Sequence, residues 1–280
     1  MQKLGTHVSA AGGISNAPVN AKEEGCETFQ FFMHPPQQYK FPALPDNEVS
    51  AFLKNCKKFG FTDYFVHASY LINLASPNNR IRYGAINLLK KALIEGSKVK
   101  VSGVMFHAGT ATGQPNRPAA IRKAIESINK ILDGYTGHTK LLIENAAGAG
   151  ATLGRSFKEV GRMMRGVKNQ AKISVCMDTQ HSFASGYDWT TTAGTNKALA
   201  ELSKEVGMRK LAVIHANDSK ADCGSNKDRH EHIGKGKIGK EGFARLLHHP
   251  KLQNKPFILE TPRDGRKADL KALRTIQKAK

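Results

Sequence analysis

The chain has 280 residues, 40% of them hydrophobic and 24% charged, an ordinary globular composition that excludes a low-complexity or disordered polymer. No apolar run approaches the ~18 residues that span a bilayer, and the stretch from Met1 to His7 has no apolar leader core, so an intracellular, cytoplasmic protein without a membrane partner is expected. Lys and Arg number 43 against 23 Asp and Glu, a net charge of +20, which favours a polyanionic partner and salt-sensitive association with it.

Short apolar runs then recur along the chain. The first, at 4–8, is followed by an amphipathic stretch at 15–24. The second, at 28–32, is followed by one at 46–59, for which Asp46 reads as the N-cap. Further runs fall at 64–67 and 101–107, with a helical pattern at 117–132, and then at 141–144, 173–178, 211–215 and 257–260. Gly134, Gly166 and Gly207 stand where helix C-caps belong. A basic closing helix is expected at 266–280, with Leu270, Leu273 and Ile276 on its apolar side. The runs do not alternate strictly, as expected of strands buried on both faces of a parallel sheet. Eight such β–α alternations without a linker predict an α/β fold, a single (β/α)8 TIM barrel domain over residues 1–280. A doubly wound sheet fits less well, because Ala10-Ala11-Gly12-Gly13 is a poor phosphate-binding turn. Cys26, Cys56, Cys176 and Cys223 form no C-x-x-C pair and read as reduced thiols, most simply small buried hydrophobes.

The chemistry is concentrated where the runs end. Six consecutive runs close on His67, His107, Glu144, Asp178, His215 and Glu260, and His181, Asp228 and His230 follow in the connecting segments. The C-terminal face of the strands is where barrel enzymes keep their active sites. One histidine or carboxylate there is ordinarily a hydrogen-bonded structural group. A buried unpaired carboxylate is costly, and a mouth filled with four acids and five histidines makes sense only around cations. Imidazole and carboxylate without thiolate suit Zn²⁺ or Mn²⁺, and nine ligands exceed the needs of one ion. Two or three ions sharing a bridging carboxylate follow, an arrangement suited to phosphoester cleavage. No Gly-x-Ser-x-Gly elbow or P-loop competes with that reading. With the basic charge, it points to hydrolysis of a nucleic-acid backbone.

The stretches carrying these residues are specific. They include Gly5-Thr6-His7-Val8-Ser9-Ala10-Ala11-Gly12-Gly13, His67-Ala68-Ser69-Tyr70-Leu71-Ile72-Asn73-Leu74, Phe106-His107-Ala108-Gly109, Asp178-Thr179-Gln180-His181-Ser182 and Asp228-Arg229-His230-Glu231-His232-Ile233-Gly234. Over nearly the whole chain the sequence resembles the endonuclease IV family of zinc-dependent apurinic/apyrimidinic endonucleases. The resemblance implies three zinc ions, with Mn²⁺ admissible at some positions. Glu144 would bridge two ions and position the attacking hydroxide. One of these ions would also take His67 and His107, and the other Asp178, His215 and Glu260. The third would take His181, Asp228 and His230. His7 would stand behind the ligands. The resemblance further implies a monomer that nicks double-stranded DNA on the 5′ side of abasic sites, leaving a 3′-hydroxyl, and trims blocked 3′ ends. Tyr70 and Leu71 would wedge into the minor groove and Gln37 would fill the gap in the stack.

Three positions depart from the family pattern: Gln37 where arginine is usual, Gln180 where cysteine is usual, and Lys235 where an acid is expected. His34, His138, His248 and His249 fall outside the motifs and read as surface residues. Two rivals share parts of the pattern: a sugar isomerase or epimerase of the xylose-isomerase-like barrels, and a DNA-binding scaffold without catalysis. Strong basicity disfavours the first, and an intact ligand set disfavours the second.

Overall fold

A computed structural model describes residues 1–279. Eight parallel strands close into a barrel: β1 (Leu4–His7), β2 (Thr28–Phe32), β3 (Tyr64–His67), β4 (Gly103–Phe106), β5 (Lys140–Glu144), β6 (Ile173–Asp178), β7 (Leu211–His215) and, eighth in the ring, β10 (Phe257–Leu259). Between β7 and β10 the chain inserts a small antiparallel ladder of β8 (Asp218–Ser219) and β9 (His230–Glu231). The helices are α1 (Asn16–Glu24), α2 (Asp46–Phe59), α3 (Asn79–Lys98), α4 (Arg117–Leu132), α5 (Phe157–Arg165), α6 (Thr179–Ala184), α7 (Thr192–Glu205), α8 (Gly239–His248) and α9 (Arg266–Lys278). The sequence boundaries hold to within two residues for every strand. At α2 the N-cap is Pro45, and Asp46 opens the first turn, where its carboxylate faces the positive end of the helix. No helix among the described residues is long and apolar enough to cross a membrane.

Strand periodicity explains how this barrel builds a polar mouth on an apolar plug. Successive side chains of a strand point to opposite faces, so residues i and i+2 share one. Phe65, Met105, Leu142, Cys176, Val213 and Ile258 form a separate buried cluster inside the ring. Each stands two residues before His67, His107, Glu144, Asp178, His215 or Glu260. The apolar layer is therefore the floor on which the polar layer rests, and it keeps water from reaching the site from below. Truncating a floor residue such as Leu142 to Ala would cost ~2–5 kcal/mol in stability and loosen that support. The larger cluster lies between the outer face of the strands and the helices, with Phe29, Phe52, Leu89, Phe157, Phe243 and Leu270 among its members. Only glycine fits at position 5, because a Cβ there would lie 1.7 Å from the Thr28 carbonyl oxygen.

Candidate metal centre

Glu144 is the hub. It ends β5, is fully buried, and turns its two oxygens towards different imidazoles. Oε2 lies 3.2 Å from His67 Nε2 and 3.7 Å from His107 Nε2, while Oε1 lies 3.0 Å from His215 Nδ1 and 3.5 Å from His181 Nδ1. Asp178 Oδ2 lies 3.8 Å from His181 Nδ1, 3.8 Å from His230 Nε2 and 3.9 Å from His215 Nδ1. Glu260, one residue beyond β10, sets Oε2 3.1 Å from His215 Nδ1. Asp228, exposed on the connection between β8 and β9, is 3.4 Å from His181 Nε2 and 3.4 Å from His230 Nε2. All nine sequence-predicted positions thus converge. Three sets place their donor atoms within 4.8 Å of one another: His67, His107 and Glu144; Glu144, Asp178, His215 and Glu260; and Asp178, His181 and His230. Asp178 joins the third set as well, while Asp228, at 3.4 Å from both of its histidines, flanks them from the solvent side.

Cys176 also comes within this range of Glu144 and His215. It belongs to the floor, where burial pushes its thiol up to about 12 and keeps it neutral; Cys26 and Cys56 are buried as expected too, whereas Cys223, on the exposed connection before Asp228, is at the surface and not in the core.

Hydrogen bonds behind the site aim the imidazoles. His67 Nδ1 faces the Ala68 carbonyl at 2.8 Å, His181 Nδ1 the Asn145 carbonyl at 3.0 Å, and His230 Nδ1 the Glu260 carbonyl at 3.3 Å. His215 Nε2 faces Gln30 Oε1 at 2.7 Å. An N–H donated outward leaves the inward nitrogen its lone pair, the tautomer a metal requires. Gln30 also donates to Glu260 Oε1 and lies 3.0 Å from His7 Nδ1. His7 itself sits 3.6 Å from Glu260 Oε1, behind the acid as expected. Asn217 donates to Asp178 Oδ2 at 2.6 Å and accepts from the Glu260 N–H at 2.8 Å. Asn145 accepts from the Asp178 N–H at 2.7 Å. Gln30, Asn145 and Asn217 were not singled out from the sequence. Gln30 offered one signal, a polar residue within an apolar strand run.

The local fold also brings in the residues that lie between strands. Asp178 caps α6 by accepting from the His181 N–H at 2.8 Å, so one carboxylate both starts the helix and places the next histidine. The β8–β9 ladder pairs Ser219 with His230 and folds that histidine back over the mouth. Asp218 fixes the following loop by accepting from the N–H groups of Gly234 (2.9 Å), Gly236 (3.1 Å) and Ile238 (2.9 Å). Gln180 donates to the Lys227 carbonyl at 2.9 Å and so anchors the residue before Asp228.

Two observations test whether these residues fit metal ions. Glu144 Oε2 and His230 Nε2 are buried without a hydrogen-bond partner, although buried polar groups are nearly always paired. The donor set of imidazole nitrogens and carboxylate oxygens is also the one divalent zinc and manganese take. The groups fit. Their protonation is strongly coupled. Burial alone would raise Glu144, but facing His107 and His215 hold it well below the usual carboxylate range. Burial likewise opposes ionisation of Glu260, and His215 overrides it. Asp228 is drawn down to about 2 against burial, by His181 first. Conversely, His181 and His215 are held well above their ordinary value despite burial, by Asp178 and Asp228 in one case and by Cys176, Glu260 and Glu144 in the other. Burial lowers His107.

Tyr70 is 64% exposed, its ring edge-on to Phe32 at 5.4 Å. Leu71 is half-buried and Gln37 exposed on the 33–45 connection. Tyr70 and Leu71 line a cavity of about 370 Å³ together with His107, His181, Asp228 and the small residues Ala146 and Ala147. Of the histidines expected at the surface, His138 and His248 are exposed, whereas His34 and His249 are half-buried. His34 packs against Phe41 at 4.3 Å between ring centres, the rings tilted by 46°, a contact across the 33–45 connection that the sequence pattern does not mark.

A closed parallel barrel whose mouth gathers histidines and carboxylates defines the class, and the family model described as xylose isomerase-like TIM barrel matches residues 19–279. A relative from Halothermothrix orenii, named probable endonuclease 4, is 38% identical over 277 residues and covers 99% of each chain. Another of the same name from Aquifex aeolicus is 39% identical over 266 residues, covering 95% of this chain and 93% of its own. The crystal structure of endonuclease IV from Thermus thermophilus superposes with a TM-score of 0.88 at 31% identity, over 98% of both chains. The chain belongs to the endonuclease IV family.

Proposed function

We propose that the protein is a DNA-repair hydrolase, a monomer of one domain, that cleaves the phosphodiester 5′ to abasic sites in duplex DNA, leaves a 3′-hydroxyl and clears blocked 3′ ends. The observation that supports this most is Glu144. It is a buried carboxylate with one orphaned oxygen among five histidines and three further acids, in a chain of net charge +20. In this reading His67, His107 and Glu144 would hold one zinc ion, Glu144, Asp178, His215 and Glu260 a second, and His181, Asp228 and His230 a third. Bound divalent cations would supply charge stabilisation for the attacking and leaving oxygens and acidify a water near neutral pH.

The chain's own residues do the rest. Glu144 joins two ligand sets through its two oxygens and faces the reacting phosphate across the mouth. Gln30, Asn145 and Asn217 keep the ligands aimed, so that little reorganisation is needed when the phosphate enters. Lys227 and Arg229, exposed on the connection that carries Asp228, and Lys235 and Lys237, exposed between β9 and α8, bind the flanking phosphates. Tyr70 and Leu71 enter the base stack at the lesion, where unstacking costs least, and the baseless sugar enters the cavity beside His107 and Asp228. Gln37 fills part of the gap without the positive charge an arginine would bring.

The test is product mapping on an end-labelled duplex with one synthetic abasic site, beside the same duplex without the lesion. A single nick 5′ to the lesion with a 3′-hydroxyl, and no cleavage of the intact duplex, is expected. Absence of any nick from folded, metal-supplied protein, together with ketose formation from an aldose, would move the assignment to a sugar isomerase.

A further inference from the structure

The face of the barrel opposite the metal centre carries a second concentration of charge that the nuclease site does not use. Lys140 opens β5, Lys172 and Lys210 immediately precede β6 and β7, Lys255 lies two residues before β10, and Lys100 lies three before β4. These strands are neighbours in the ring, in the order β10-β7-β6-β5-β4. The five lysines therefore form one continuous arc around the N-terminal end of the barrel, with strands spaced ~4.8 Å apart. Lys168, Arg209 and Lys251 stand exposed in the adjoining connections.

Among the described residues, no carboxylate pairs with any of the five arc lysines. Of the acids on the adjoining helix ends, Glu95 and Glu205 are matched, by Lys98 at 2.9 Å and Arg165 at 3.0 Å, and Asp133, on the connection to Lys140, is exposed. Three of the five ammonium groups are instead fixed on backbone carbonyls: Lys172 on Gly137 at 2.5 Å, Lys210 on Ile173 at 3.3 Å and Lys255 on Leu211 at 2.7 Å. Burial first, and the neighbouring Lys140 second, lower Lys210. A surface serving solubility alone intersperses both signs, whereas a single-sign field attracts a partner of opposite charge. Each arc lysine precedes the ligand at the end of its strand by four to seven residues, roughly 13–23 Å of extended chain, so a duplex seated on the metal centre does not reach it.

We infer that the N-terminal face of the barrel is a second, sequence-independent binding surface for the phosphate backbone of DNA. It would allow the protein to stay attached to one duplex segment while the mouth inspects another. The choice of DNA as the polyanion rests on the nuclease reading above; the charge arc itself does not.

The test combines Lys100→Asn, Lys140→Gln, Lys168→Gln and Arg209→Gln, four exposed positions remote from the mouth. Binding of a short lesion-free duplex is followed by sedimentation at saturation and across a salt series. The wild type is expected to take up a second duplex that the variant does not. The variant's log–log salt slope should be shallower by roughly 3 to 4, at about 0.9 per neutralised phosphate. Nicking of a short abasic duplex at low salt should be unchanged, which also reports that the variant is folded. An unchanged slope with a single duplex on both proteins overturns the inference, as does preference of the face for poly-glutamate over the duplex. Loss of the nuclease reading would appear separately, as absent incision by a wild type that still binds two lesion-free duplexes.

Discussion

Gln30 offers the sharpest perturbation of the metal centre, because it touches three groups of the site and is not expected to be a ligand. Its side chain accepts from His215 Nε2 at 2.7 Å, lies 3.0 Å from His7 Nδ1 and donates to Glu260. Gln30→Leu roughly keeps the volume and removes every one of these contacts. Each buried polar group left unpaired costs ~1–3 kcal/mol. With His215 and Glu260 both affected, the metal-free protein should lose roughly 2–5 kcal/mol of stability. Freed of its partner, His215 can rotate or adopt the wrong tautomer. Loss of such a supporting hydrogen bond typically weakens metal binding ~10–100-fold, about 1.4–2.8 kcal/mol. The assay is competition of the protein against a calibrated zinc chelator, with nicking of the abasic duplex measured across the same free-zinc range. The variant's activity curve should shift to higher zinc by that factor and recover at excess. A variant that binds zinc within twofold of the wild type, and nicks equally at limiting zinc, would refute the assignment of Gln30 as the residue that aims His215.

Glu144→Ala should abolish nicking while leaving duplex binding largely intact; near wild-type incision by this variant would remove Glu144 from the centre of the mechanism. Tyr70→Ala should leave thermal stability unchanged, since the ring is exposed. It should slow incision of abasic duplex about tenfold or more, consistent with ~1–3 kcal/mol for an aromatic–base stack; equal rates would show that Tyr70 does not enter the stack. The metal-free protein should also respond to pH in a characteristic way. Glu144, Glu260 and Asp228 are depressed, so their stabilisation is present above the unfolded carboxylate values near 4 and is lost as pH falls through the folded values. His181 and His215 are raised, so theirs is complete below about pH 6.5 and is lost as pH rises, while the lowered His107 opposes in part. Chelator-treated protein should therefore melt highest near pH 5–6.5 and lower at pH 8. Zinc-loaded protein should show the reverse trend above pH 6.5, because metal replaces the imidazole protons. Parallel melting curves with and without zinc would contradict coupling of metal and protons at this site.

The legible part of the site was the part written along single strands. Floor and ligand lie two residues apart on each of six strands, from Phe65 and His67 to Ile258 and Glu260, so local periodicity carries both to the same face. The α6 cap by Asp178 is equally local, being set by a three-residue separation from His181. What the sequence did not expose depends on closure of the ring. Gln30 reaches His215 only because β2, β1, β10 and β7 are consecutive in the barrel, and Asn217 joins Asp178 to Glu260 across three strand ends. The approach of Asp228 to His181 and His230, 3.4 Å in each case, has a similar origin, since the β8–β9 ladder folds its connection over the mouth. The lysine arc is invisible for the same reason: its members are 30 to 45 residues apart in sequence and become neighbours only on a closed barrel.

The most direct test of the central claim is zinc stoichiometry measured together with activity. Fully chelated protein is titrated with zinc while bound metal and incision of a single-abasic-site duplex are followed in the same samples. Incision absent at the start, rising with uptake and complete when the three ligand sets are filled, is the predicted result. Full incision by protein from which all metal has been removed, or uptake of zinc without any incision, would contradict it.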